Sequence, residues 1–228
     1  MTRPTVLLFD IDGTLITSGG GSRRALEAGV AAYLGLESFE AEFSFGGMTD
    51  RGIMRGALKQ AGAEASETRI DEVIAFYLER LPDVLSESGV YRTHEGVHEI
   101  LDAVTDADHC AVGLGTGNLE VGARLKLDAV GLNPYFSFGG FGCDAEPRDQ
   151  LILAGAKRGA AALDLALDEC RVVIIGDTIR DVDAAHANGF ECVAVSTGGV
   201  SHERLAQTKT EILVASLTEQ AALDWLLG

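Results

Sequence analysis

The chain has 228 residues, 46% of them hydrophobic, which is enough for one large domain or a main domain with a smaller insert and too apolar for a disordered chain. Its 18 Lys and Arg against 35 Asp and Glu leave a net charge of −17, which argues against nucleic acid and anionic membrane as partners. No stretch approaches the roughly 20 apolar residues of a bilayer span. No secretory leader is evident, and Cys110, Cys143, Cys170 and Cys192 form no CxxC pair, so free thiols and a cytoplasmic location are expected.

The first apolar run, residues 6–9, reads as a short buried strand. It leads directly into FDIDGTL (9–15), which sets Asp10 and Asp12 one residue apart with Thr14 beyond them. Two carboxylates this close repel each other unless something positive lies between them. SGGGS (18–22) reads as a hinge, or as a loop in which Ser22 caps the helix that follows. From there to residue 88 only helical periodicity is present, at 25–34, 53–58 and 70–81, and residues 18–88 are expected to form a helical insert. Strand-like runs resume at 111–114, 172–175 and 192–195, separated by helical patterns at 99–105, 119–130, 150–163 and 181–188. Continuous apolar strands alternating with helices predict a parallel sheet covered on both faces.

Ligands of such a sheet bind beyond the carboxyl ends of its strands. There the first run ends in Asp10, Asp12 and Thr14, the second in Thr116, Gly117 and Asn118, and the third in Asp177, with Asp181 four residues on. Three or four carboxylates converging on one point need a hard cation, and oxygen-only ligands suit Mg2+. Thr116 and the N–H groups after it, near a helix start, form an anion pocket. A metal, an anion pocket and a spare carboxylate together equip a site for phosphoryl transfer through an aspartyl intermediate. Asp10 is the expected nucleophile, and Asp12 the group that protonates the leaving oxygen and then deprotonates water.

DIDGT (10–14), GTGN (115–118), GDTIRD (176–181) and FGGMTDRGI (45–53) together resemble the haloacid dehalogenase-like hydrolases, in their phosphoglycolate phosphatase-like branch. The resemblance covers nearly the whole chain. It implies an α/β fold with a Rossmann-like, doubly wound core (1–17 and 89–228) and an inserted, mobile all-helical cap (18–88). It also implies Mg2+ held by Asp10, Asp177, Asp181 and the backbone carbonyl of Asp12, with Thr116 as the phosphate-binding hydroxyl. The sequence departs from the family at one place. Where the family usually has a lysine, often before a proline, this chain reads CDAEPRDQLILAGAKRGAAAL (143–163). Arg148 follows Pro147, a residue suited to a first helical turn, whereas Lys157 lies about 13 Å further along the helix. Arg148 is therefore the expected site cation.

Within the insert, Arg23 and Arg24 (SRRAL, 22–26) and Arg51 are candidates to bind a substrate carboxylate or phosphate; the alternative is a solvated helix face. HEGVH (94–98) matches the zinc-protease pattern, but Gly96 interrupts the turn and the segment is read as the opening of a helix. The leading function is a Mg2+-dependent phosphatase for a small phosphorylated metabolite, phosphoglycolate-like or a sugar phosphate, acting as a monomer or homodimer. Dehalogenases on this plan lack the second aspartate. Related mutases carry a histidine about twelve residues after the nucleophile, where Ser22 stands here. A silent binding module would have lost a nucleophile or metal ligand, and none is missing.

Overall fold

In a computed structural model, residues 3–87 and 89–228 are described; Met1 and Thr2, at the start of the expected core, and Ser88, at the end of the expected insert, lie outside the described residues. In chain order the strands are β1 (Thr5–Phe9), β2 (Ile16–Thr17), β3 (Arg92–Thr93), β4 (Cys110–Gly115), β5 (Gly139–Gly140), β6 (Arg171–Gly176), β7 (Glu191–Val195) and β8 (Ile212–Val214). The helices are α1 (Gly21–Leu34), α2 (Asp50–Gln60), α3 (Glu67–Glu87), α4 (Val97–Thr105), α5 (Glu120–Asp128), α6 (Arg148–Ala162), α7 (Ile179–Ala187), α8 (His202–Leu205) and α9 (Gln220–Leu227).

Every side chain of β1 is buried because the strand lies inside a six-stranded parallel sheet of order β5-β4-β1-β6-β7-β8. Leu7 and Phe9 point to one face, where Ile100, Leu101, Leu127 and Leu226 from α4, α5 and α9 cover them. Val6 and Leu8 point to the other, against Leu151 and Ile152 of α6 and Val182 of α7. Alternation across a strand therefore feeds two cores, and both are apolar because helices shield both faces. This is a Rossmann-like α/β core. Phe9 pairs in register with Leu114 of β4 and Ile175 of β6, so the residues that follow these three strands emerge side by side.

The chain leaves the core through β2 and returns through β3, which pair antiparallel at Ile16–Thr93 and Thr17–Arg92. Between them α1, α2 and α3 enclose an apolar cluster of their own that includes Leu26, Val30, Ile53, Met54, Ile70 and Tyr77. Gly29 permits the close approach of α1 to α3, since a Cβ there would lie 2.9 Å from the Tyr77 backbone. α2 and α3 run beyond the apolar stripes 53–58 and 70–81 at both ends, whereas α1 begins before the stripe 25–34 and ends with it, as terminal turns need no core residue. Ser22 is not a cap. Gly20, at φ 82°, precedes the helix, and the Ser22 N–H instead donates to Ser18 Oγ at 3.3 Å. No helix among the described residues is long and apolar enough to cross a membrane.

Candidate active site

After β1 the chain turns back on itself, the Ile11 carbonyl accepting from the N–H groups of Leu15 and Ile16. Gly13 makes the turn possible. Its φ is 91°, and a Cβ there would sit 2.5 Å from Asp177 Oδ2. The turn keeps Asp10 at the strand end, 5% exposed, with its N–H on the Ile175 carbonyl.

Asp10, Asp177 and Asp181 converge, one carboxylate oxygen of each lying within 4.8 Å of the others. Asp181 sits in the first turn of α7. Its Oδ2 accepts from Thr178 Oγ1 (2.6 Å) and N (3.0 Å), and its Oδ1 from Arg148 Nε (2.9 Å) and Nη2 (2.5 Å). Arg148 Nη2 also reaches Asp10 Oδ1 at 3.1 Å. Arg148 is the first residue of α6, with Pro147 one place before the helix as its N-cap, so the side chain projects from the end of the helix nearest the site. Lys157, on the same helix, is exposed.

Burial pushes the Asp10 carboxyl up to about 6 although the Arg148 guanidinium pulls the other way. Burial, and then the charges of Asp10 and Asp181, raise Asp177 well above the usual carboxylate range. Three buried acids against one buried guanidinium leave negative charge uncompensated, and every donor is a hard oxygen. Such a set fits a divalent cation of the Mg2+ type.

The carboxylate of Asp12 does not join this group; that leaves its backbone carbonyl as the atom it can offer a metal. Its Oδ1 accepts from Ser22 Oγ of α1 at 2.8 Å, and its Oδ2 from Asn118 Nδ2 at 2.8 Å and Lys126 Nζ at 2.7 Å. Desolvation by the surrounding walls would raise it, but Lys126, Asn118 and Ser22 hold it below the usual carboxylate value. About a third of the side chain (36%) remains exposed, and Asp12 lines the cavity.

Thr116 follows β4 and is fully buried, its N–H bonded to the Gly140 carbonyl at 3.0 Å. Two of the N–H groups expected to hold an anion are already engaged. That of Asn118 donates to Thr116 Oγ1 (3.2 Å), and that of Leu119 to Asp50 Oδ2 of α2 (2.9 Å). The Asp50 N–H in turn donates to the Gly117 carbonyl at 2.9 Å. Gly117 has to be glycine here, since any Cβ would strike the Met48 carbonyl. Asp50, 3% exposed, is pushed up to about 6 by burial.

These groups border a cavity of about 410 Å³ between the strand ends and the helical layer. Of the three arginines singled out in the insert, only Arg23 lines it, and its guanidinium is committed to Glu27, the Ala41 and Phe43 carbonyls and the face of Phe45. Arg24 is exposed and bonds the Gly19 carbonyl. Arg51 points away, held by Asp71 at 2.6 Å and Glu67 at 2.5 Å. His94 and His98 do not share a helical turn, because α4 begins only at Val97, after Gly96 at φ 80°. His94 lines the cavity, and among the described residues its Nε2 is buried without a partner.

Like Asp50, Lys126 is a site residue that sequence reading missed. It is 1% exposed and belongs to the buried stripe of α5 with Ala123 and Leu127. A lone lysine where the 3.6-residue period calls for an apolar side chain was the available signal.

Buried charge in this concentration destabilises a fold and is characteristic of catalytic sites. At the open end of a parallel sheet, it marks the catalytic centre of an α/β enzyme. The chain belongs to the haloacid dehalogenase-like hydrolase family, whose family model matches residues 7–195. It is 29% identical over 223 residues to a phosphoglycolate phosphatase of Caulobacter vibrioides, covering 96% of this chain and 87% of that one. It is 28% identical over 207 residues to the Arabidopsis thaliana chloroplastic protein SUPPRESSOR OF QUENCHING 1; the match covers 85% of this chain and spans only 18% of that protein's length. Among solved structures, CbbY from Rhodobacter sphaeroides in complex with phosphate superposes with a TM-score of 0.75 at 19% identity, covering 97% of this chain and 99% of that one.

Proposed function

We propose that the chain is a Mg2+-dependent phosphatase that hydrolyses a small phosphorylated metabolite, phosphoglycolate-like or a sugar phosphate, through an aspartyl-phosphate intermediate. The observation that carries this reading is Asp10, a buried carboxylate held by Arg148 inside an acidic group at a strand end. Likeness to a phosphoglycolate phosphatase supports the phosphomonoester class. Asp10 attacks phosphorus, the bond to the leaving oxygen breaks, and that oxygen takes a proton from Asp12, which has to pick that proton up from solvent first because Lys126, Asn118 and Ser22 favour its ionised form. Water then loses a proton to Asp12 and attacks the phosphorus, which releases phosphate and restores Asp10. Thr116, Gly117 and Asn118 border the phosphoryl group, and Arg148 orients Asp10 and offsets developing charge. Asp10, Asp177, Asp181 and the Asp12 carbonyl would hold Mg2+, which would supply positive charge to offset that of the phosphoryl group.

Residues 18–88 serve as the cap that closes the cavity from above. A mutase reading is disfavoured because Ser22, twelve residues after Asp10, is bonded to Asp12 and offers no imidazole. The free cysteines support a reducing, cytoplasmic setting.

The direct test is turnover of para-nitrophenyl phosphate. Activity is expected to vanish in EDTA and return with Mg2+, without a specific requirement for Zn2+, because among the described residues no thiolate or imidazole joins the acidic group. Full activity in excess chelator would overturn the metal assignment. Asp12→Asn is expected to slow the reaction by the roughly 10²–10⁴-fold typical of a lost general acid/base. In kcat/KM, which reports the leaving-group step, the loss should be smaller for aryl phosphates, whose leaving groups need little protonation; equal losses in kcat/KM for alkyl and aryl phosphates would argue against Asp12 as the acid.

A further inference from the structure

We propose that Lys126 is a positioning residue for the proton-transfer steps, its ammonium fixing the Asp12 carboxylate and, through Asn118, tying it to the Thr116 loop. The proposal rests on the reading of Asp12 as the acid/base.

A buried lysine costs stability unless its charge is paired, and a methionine or leucine would fill the same place in the stripe of α5 without that cost. What the ammonium does there is visible in its bonds. Nζ donates to Asp12 Oδ2 at 2.7 Å and to Asn118 Oδ1 at 2.5 Å. An ammonium can only donate, so the amide of Asn118 is forced to present its oxygen to Lys126 and its nitrogen elsewhere. That nitrogen donates to Asp12 Oδ2 and to Thr116 Oγ1, both at 2.8 Å. One cation thereby sets the orientation of two side chains from two different strand ends.

The backbone beneath the lysine is anchored as well. Tyr91 Oη, from the segment where the chain re-enters the core, donates to the Lys126 carbonyl at 2.6 Å. With Ser22 on its other oxygen, Asp12 is bonded at both ends and is held apart from Asp10, Asp177 and Asp181. Without the ammonium, Oδ2 keeps a single donor whose own orientation is no longer enforced. Acid/base groups lose efficiency when displaced by fractions of an ångström, and the loss falls on the step that moves the proton.

The test compares wild type, Asp12→Asn, Lys126→Met and the double variant, with Mg2+ present, on para-nitrophenyl, phenyl and para-methoxyphenyl phosphates. Lys126→Met is expected to lower kcat/KM on para-methoxyphenyl phosphate by about 10- to 100-fold, less than the full loss of an acid/base, and on para-nitrophenyl phosphate by clearly less. KM should change little, Lys126→Arg should recover part of the loss, and the double variant should be no slower than Asp12→Asn alone. Equal losses along the series, a loss confined to KM, or additive losses in the double variant would overturn the proposal. If Asp12→Asn itself shows no dependence on the leaving group, the reading of Asp12 fails and the proposal falls with it; if only Lys126→Met lacks that dependence, the proposal alone fails. Thermal melts accompany each variant, and should Lys126→Met not fold, Lys126→Gln carries the same comparison, with the same outcomes deciding.

Discussion

Asp10→Asn is expected to abolish turnover while leaving the fold in place. The substitution keeps size and shape, the backbone N–H bond to the Ile175 carbonyl does not involve the side chain, and the amide oxygen can still accept from Arg148. An amide nitrogen or oxygen cannot serve as the nucleophile at phosphorus, so a residual rate above trace would refute the aspartyl-phosphate route. A second readout follows from the charge balance. Burial raises the Asp10 carboxyl from 3.8 to about 6 in the folded protein. A carboxyl whose folded value lies above its unfolded one binds its proton more tightly when folded, so stability is lost as pH rises from 3.8 to about 6. The neutral amide escapes that loss. In EDTA, the melting temperature of Asp10→Asn relative to wild type should therefore climb across this window and level off above it. A difference that shrinks with rising pH would show that the Arg148 pairing outweighs burial at Asp10.

Most of the core was legible in the sequence because its strands are buried on both faces and read as unbroken apolar runs. The exceptions are short. β5 is only Gly139–Gly140, and β8 and the β2–β3 ribbon span two or three residues; each is a strand because a neighbouring strand offers it hydrogen bonds, as β4 does to β5, and no pattern of its own announces it. The site divides in the same way. Asp10, Thr116 and Asp177 directly follow apolar runs, so topology alone brings them together. Lys126, Asp50 and Ser22 reach the cavity from helices, and which face of a helix meets the site depends on how it packs. Asp50 and Arg51 show how sharply. They are adjacent in sequence but about 100° apart around α2, so one caps a buried helix start while the other lies outside the cavity with Glu67 and Asp71. The converging acids likewise proved to be three, because a fourth carboxylate had a lysine that no spacing rule linked to it.

Arg148→Ala is expected to reduce turnover by about 10²-fold or more, and Lys157→Ala to do little. Preorganised positive charge aimed at a transferring group is worth about that much in rate, and the Arg148 guanidinium is bonded to Asp10. Its geometry is that of a fork: Nε and Nη2 both engage Asp181 Oδ1, and Nη2 reaches on to Asp10. Arg148→Lys should therefore fall between wild type and alanine, because a single ammonium is a point donor and cannot span the two carboxylates in the same way. Lys157 starts nine residues further along the helix, about 13 Å from Arg148, and its side chain faces solvent. Alanine at 148 also leaves two buried acids short of a partner, a change that costs about 3–5 kcal/mol when nothing compensates. Two features limit the damage. Asp181 keeps both donors from Thr178, and a divalent cation bound by the acidic group would offset the missing charge. Melting Arg148→Ala with and without Mg2+ therefore separates the two effects: the cation should restore much of the lost stability and little of the lost rate. A variant whose rate returns with its stability would reduce Arg148 to a structural ion pair, and a larger loss at Lys157 than at Arg148 would move the site cation to the other residue.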